Sequence, residues 1–189
     1  MKKLFIAVML LMTGVFAQEL EWTPYFATPE DSIVIIYDAS KGNGGLVGVF
    51  PIYAHTGVIT SESTSPSDWR YVKTQWGQNT PETQLTFISG TKWKIAFKIR
   101  EYYGIPANET VLQLAFVFRN SAGTVTGKTS DGGDIFLPLS TPGQTAAILQ
   151  PPVSGIIAQN TNVPVLAIGA PGTQTMKLII NGSEVASVN

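Results

Sequence analysis

Cysteine is absent from the 189 residues, histidine occurs once, and charged side chains make up only 13% of the chain. Without a thiol there is no disulfide and no thiolate chemistry, so stability has to come from a packed core. The lone His55 has neither a cysteine nor a second histidine with which to build a zinc site. With Lys2 and Lys3 set aside, ten basic residues face thirteen acidic ones, a net charge of −3. No basic stripe runs through the sequence, so the electrostatic footprint of nucleic-acid binding is missing. Long apolar runs are missing too. The longest, Leu4 to Phe16, falls short of the about 20 residues a membrane-spanning helix needs.

That run has another use. Lys2 and Lys3 precede it and Val15-Phe16-Ala17 follows with a small residue at its end, the layout of a secretory signal peptide over residues 1–17, cleaved after Ala17. The sequence therefore predicts an exported protein, secreted or at the cell surface, whose fold starts at Gln18. An exported chain without cysteine points towards a bacterial source.

The remaining pattern is all-β. Ser32 to Tyr37 is rich in β-branched residues, and Val47 to Ala54, Gln84 to Ile88, Lys92 to Ile99, Val111 to Arg119 and Asp134 to Leu139 continue the series. In Lys92 to Ile99, Trp93, Ile95, Phe97 and Ile99 alternate with Lys92, Lys94, Ala96 and Lys98, which gives one apolar face and one lysine-rich face. Leu112, Leu114, Phe116 and Phe118 are expected to share a face in the same way. Ser89-Gly90-Thr91 and Asn120 to Gly123 read as turns. A single helical turn fits Ile99 to Tyr103 before Gly104 and Pro106 end it. These spacings predict an immunoglobulin-like antiparallel β-sandwich over residues 18–139. Residues 140–154, with Pro142, Pro151 and Pro152, read as a linker. Residues 155–189 read as the start of a second, incomplete sandwich, with strands at Asn162 to Ile168 and Thr175 to Ile180 and an Asn181-Gly182 hairpin turn into Ser183 to Ala186.

A sugar site needs flat aromatic faces and a few fixed polar groups. The candidate segment is Ser67 to Asn79. Trp69 and Tyr71 are expected on one side of a strand, and Trp76 in a loop with Gln75, Gln78 and Asn79; the competing reading makes these aromatics caps of the core. Trp93 belongs to the core, and Tyr102 and Tyr103 are expected to split, one packed and one exposed. His55, between Ala54 and Thr56, reads as a hydrogen-bonding structural residue. No Gly-x-Ser-x-Gly elbow supports a serine nucleophile. Asp131-Gly-Gly-Asp134 is either a tight turn or a weak calcium ligand pair, Asp131 with Asp134, and no other cofactor is implied. Among Asp68, Glu101, Asp131 and Asp134, nothing in the pattern pairs two carboxylates as a glycosidase requires. Lys41-Gly-Asn-Gly-Gly45 leads into a strand rather than a helix, which argues against a phosphate loop.

Taken in order, Tyr53-Ala-His-Thr-Gly57, Trp69-Arg-Tyr-Val-Lys-Thr-Gln-Trp76, Ile99-Arg-Glu-Tyr-Tyr-Gly-Ile-Pro106, Leu114-Ala-Phe-Val-Phe-Arg-Asn120 and Gly132-Gly-Asp-Ile-Phe136 carry a resemblance over residues 30–139. The stretch resembles the N-terminal immunoglobulin-like (E-set-like) module of secreted α-amylase-family glycoside hydrolases from Bacteroidetes-type bacteria. The resemblance implies a non-catalytic accessory module that positions its neighbours and holds an α-glucan polysaccharide. A second immunoglobulin-like domain and a catalytic barrel would follow in the same polypeptide. It carries over no catalytic residue. The alternative is a structural or adhesive module of a cell-surface protein, since fold alone does not decide function.

Overall fold

The computed structural model describes residues 19–141, 146–150, 165–170 and 172–188. The expected signal peptide at residues 1–17 lies outside the described residues. Residues 19–141 form one compact unit, and the described residues from 146 onward belong to another.

The first unit is an antiparallel β-sandwich. One sheet has the order β1 (Leu20–Thr23), β2 (Ser32–Asp38), β5 (Lys92–Lys98), β4 (Thr86–Ser89). The other runs β3 (Tyr53–Thr60), β6 (Val111–Arg119), β7 (Thr126–Gly127), with β8 (Ile135–Pro138) also pairing with β6. Sheets of order 1-2-5-4 and 3-6 followed by the last strands have the connectivity of a constant-type immunoglobulin domain, ABED facing CFG. Helix α1 (Ile99–Tyr103) is one turn long and stops at Gly104, whose φ of 69° is the left-handed C-terminal cap a glycine allows.

Alternation builds the core. Ile33, Ile35 and Tyr37 of β2, with Trp93 and Ile95 of β5, face Val58 of β3, Leu114, Phe116 and Phe118 of β6, and Ile135 and Leu137 of β8. Tyr37 and Phe118 stack across the interior with ring centroids 4.0 Å apart. Each such side chain contributes about 1.5–3 kcal/mol by leaving water. Trp93 is buried, as its phase predicts. Tyr103 is buried with its hydroxyl 2.6 Å from that of Thr56, while Tyr102 is half-buried against Phe97.

Three local expectations change. Val47 to Ala54 is not a strand; β3 begins at Tyr53, because Pro51 cannot donate to a ladder and Gly48 turns the chain with a φ of 75°. Leu112 is 45% exposed and leaves the shared face, because β6 skips a register position there and Val111 turns inward instead. The proline-bounded stretch read as a linker over residues 140–154 contains strand β9 (Ala146–Gln150), whose Ala-Ala-Ile core supplies enough apolar character to pair. Strands β1 and β7 escaped the sequence pattern, being only four and two residues long.

In the second unit, β9 pairs with β10 (Leu166–Gly169), and β11 (Met176–Ile180) pairs with β12 (Ser183–Val188) through the Asn181-Gly182 turn. An apolar groove of about 390 Å³ lies among these strands, lined by residues such as Ala147, Ala167, Met176 and Leu178.

Candidate functional site

The outward face of the β3–β6–β8 sheet carries the strongest concentration of rings. Since Ala54 and Val58 point into the core, His55 and Gly57 point out. Gly57 stands beside Ala115 and Ala115 beside Phe136 in the register, so two small residues leave a trough between His55 and Phe136. Trp69 lies there. Its ring is stacked 5.8 Å from His55 and meets Phe136 edge-on at 6.5 Å. Trp76 closes the row, edge-on to His55 at 5.1 Å.

What places Trp69 is a strip of chain paired with the free edge of β3. Val58 and Arg70 exchange backbone hydrogen bonds of 2.9 and 2.8 Å, and the Lys73 N–H donates to the Thr56 carbonyl at 3.0 Å. The strip passes so close that a Cβ on Gly57 would lie 2.9 Å from the Arg70 carbonyl oxygen. The indole N–H of Trp69 donates to the Pro66 carbonyl at 3.1 Å, which fixes the ring.

Tyr71 parts company with Trp69. Its backbone takes a φ of 52°, which turns the ring to pack against the core, and its hydroxyl donates to Glu109. That hydrogen bond raises the Tyr71 pKa and lowers that of Glu109, whose other oxygen lies 3.5 Å from Arg70. The expectation that Trp69 and Tyr71 share a side is thus corrected by one left-handed residue.

Trp76 is 49% exposed, the most open of the rings in the row, and its indole leans on the turn at Gly123. Beneath the loop lies Arg119, fully buried at the end of β6. Its guanidinium donates to the Asn79 side-chain oxygen at 2.8 Å, to the Asn120 carbonyl at 3.0 Å and to the Gln78 carbonyl. It also lies 5.4 Å from the Tyr53 ring and 6.0 Å from that of Trp76. Burial lowers the Arg119 pKa. Asn79 also donates one amide N–H to the Ser121 carbonyl at 3.1 Å, so both ends of this side chain hold the loop. Gln75 is exposed at the loop rim, its backbone N–H bonded to the Gln78 side chain at 3.2 Å.

His55 is central to the row, which sequence alone did not suggest; the available signal was its phase opposite Ala54 and Val58. Burial and the nearby Arg119 lower its pKa, against a smaller opposing pull from Asp134, so the imidazole is held neutral. Among the described residues its buried Nδ1 has no hydrogen-bond partner, which corrects the reading of His55 as a hydrogen-bonding residue. The rings of Trp69 and Trp76 hold it, and no hydrogen bond orients it as a general base.

The acidic candidates are engaged locally. Asp68 accepts from the Thr64 backbone at 2.9 Å, and Glu101 pairs with Lys98 at 2.5 Å. In the glycine turn, Asp134 pairs with Lys128 at 3.0 Å and Asp131 accepts from the Thr129 hydroxyl at 2.5 Å. A lysine ammonium on one of the two oxygen donors opposes a divalent cation at that turn. Among the described residues no group of three or more His, Asp or Glu side chains converges as a metal site, and no helix is long and apolar enough to cross a membrane.

Residues 20–126 match a family described as a domain of unknown function, DUF8578. The chain belongs to that family. The matched stretch takes in every strand from β1 to β6, the strip carrying Trp69 and the loop carrying Trp76. No curated protein matches the chain.

Proposed function

We propose that the sandwich is a non-catalytic module that holds an α-glucan on the row Trp76, His55, Trp69 and Phe136, at the front of an exported α-amylase-family hydrolase. One observation carries the reading: four rings, each touching the next, over a single sheet face, with the outermost half-open to solvent. Flat apolar faces of this kind suit the C–H faces of sugar rings, and Gln75 at the rim supplies an amide for hydroxyl groups. The resemblance over residues 30–139 supplies the glucan and the hydrolase. Even weak binding would raise substrate concentration at a tethered catalytic domain.

Affinity electrophoresis of the full chain in amylopectin gels tests this. Retardation that Trp76→Ala abolishes supports the reading, and migration unchanged by amylopectin ends it.

A second reading, a structural or adhesive module, draws on the second unit. Ile148, Ile179 and Ile180 there are each more than half exposed, which suits contact with further domains of the same polypeptide. The full coding sequence of the gene separates the two: a catalytic barrel in the same polypeptide favours the hydrolase, further sandwich repeats favour adhesion.

A further inference from the structure

On the first unit, a different group of rings lies at the β4 edge. Phe50, Phe87 and Trp93 meet pairwise with centroids 4.7 to 5.2 Å apart and planes inclined by 57 to 66°, forming a three-sided cup. Phe50 is 62% exposed and Phe87 43% exposed, while Trp93 forms the floor at 4%. Pro51, Pro81, Gln84, Leu85 and Thr86 complete a groove of about 580 Å³. That volume lies inside the ~300–1,000 Å³ range of small-ligand sites.

Three observations narrow the occupant. The first is area. Two half-open phenylalanines offer roughly 200 Å² of apolar surface, a patch sized for one small flat-faced group. The second is charge: none of the lining residues is ionisable, which disfavours an anion or a cation. The third is polarity. The Gln84 side-chain oxygen accepts from the Tyr53 hydroxyl at 3.4 Å, and among the described residues no group takes its amide donors. Thr86, exposed on β4, also lines the groove. A ligand that matches this groove is small, uncharged, flat-faced and rich in hydroxyl groups.

We infer that the Phe50–Phe87–Trp93 groove is a binding subsite for one neutral pyranose ring of an oligosaccharide. The ring packs its C–H face on Phe50 and Phe87 and bonds its hydroxyl groups to the Gln84 amide. The inference rests on the sugar-binding reading above but places a subsite apart from the Trp69 row. Nothing in the sequence pattern pointed to it, because Phe50 falls within the expected strand Val47 to Ala54, whereas the structure leaves it in an irregular stretch before β3.

The test separates the two sites. The full chain labelled with 5-fluorotryptophan is titrated with maltoheptaose and, separately, cellohexaose up to about 10 mM, a range that captures millimolar affinities. Fluorine resonances are assigned by single Trp→Phe variants. The expected result is a saturable shift of the Trp93 resonance with at least one sugar. Its apparent Kd rises roughly fivefold or more in Phe50→Ala and in Phe87→Ala and is unaffected by Trp76→Ala. Phe50 and Phe87 are exposed enough for truncation to leave the fold intact, and an unchanged Trp22 resonance in the free variants verifies this. A Trp93 resonance indifferent to both sugars overturns the inference, whatever Trp69 and Trp76 do. So does a response to a phenylalanine-containing neutral peptide but to neither sugar, which reassigns the groove to a protein segment. Movement of Trp93 while Trp69 and Trp76 stay fixed upholds the groove and ends the row.

Discussion

His55 and Trp69 stand stacked on the outer face of the sandwich, centroids 5.8 Å apart and planes 26° from parallel. Contact at this spacing makes the row partly self-supporting, since each ring covers part of its neighbour. Stability and ligand contact should therefore divide unequally along the row. Trp69, wedged over Gly57 and fixed through Pro66, belongs mainly to stability; Trp76, half-open, belongs mainly to contact. We expect Trp69→Ala to lower unfolding free energy by about 2–3 kcal/mol, somewhat below the cost of deleting a fully buried tryptophan. Trp76→Ala should cost less than about 1 kcal/mol. Urea unfolding followed by far-ultraviolet circular dichroism measures both, and equal losses would show that the division is wrong.

The neutral state of His55 makes stability depend on pH in a defined window. Burial, with Arg119 adding to it, lowers the folded-state pKa below the ordinary value. The unfolded chain then binds the proton more readily, so stability is full above about pH 6.5, the ordinary value. It declines as pH falls from there towards the lowered folded pKa. Because His55 is the only histidine, the decline between pH 7 and 5 is attributable to it. The melting temperature of His55→Gln should be flatter across that interval than that of the wild type. Parallel curves would remove His55 as the cause.

Much of the fold was legible because alternation is a strong signal when strands are long. The expected strands Ser32 to Tyr37, Lys92 to Ile99 and Val111 to Arg119 fall within one residue of the observed bounds. The candidate site was harder. Trp69 and Trp76 were visible as aromatics outside the alternating pattern, yet their partners His55 and Phe136 come from strands far off in sequence and meet them only through sheet register. Tyr71 was misplaced because a φ of 52° at a non-glycine residue leaves no trace in composition. Asn79 looked like a free rim amide, and only the buried Arg119 beside it reveals its structural use.

Arg119 should be the costliest polar residue to change. Its guanidinium ties Asn79 and the Gln78 carbonyl to the end of β6, with no carboxylate partner among the described residues. Arg119→Ala removes these hydrogen bonds and leaves a void where a fully buried side chain stood, and we expect a loss of about 3 kcal/mol or more. Arg119→Lys keeps a charge but not the planar fork, so it should recover only part of that loss. If lysine restores full stability in chemical denaturation, the forked geometry is unimportant.

The Tyr71–Glu109 contact predicts acid sensitivity of a different kind. The hydrogen bond from Tyr71, followed by one from Thr60, lowers the Glu109 pKa. Its stabilising contribution is therefore complete above the ordinary glutamate value of about 4.3 and disappears as pH falls through the lowered folded pKa. Tyr71→Phe removes the donor, should lower stability at pH 7, and should weaken this acid-dependent component. A Tyr71→Phe curve running parallel to the wild type from pH 6 to 2 would show that Glu109 draws its low pKa from elsewhere.

Gly57 gives the sharpest steric prediction. Strand interiors disfavour glycine, and replacing it there ordinarily gains stability through backbone entropy. Here the added Cβ would stand 2.9 Å from the Arg70 carbonyl oxygen and 3.0 Å from a Val72 methyl group. The oxygen is backbone and accepts from Val58, so it cannot swing aside without breaking the strip away from β3. Gly57→Ala should therefore destabilise by about 1–3 kcal/mol, the usual range for overpacking. Gly57→Val should cost more and release the strip altogether. Amide hydrogen exchange at Val58, Arg70 and Lys73 reads this directly. Faster exchange at those three amides, with the amides that pair β2 with β5 unchanged, is the expected signature. A neutral or stabilised alanine variant with protected Arg70 would mean that the strip lies farther from the strand than the 2.8–2.9 Å hydrogen bonds indicate.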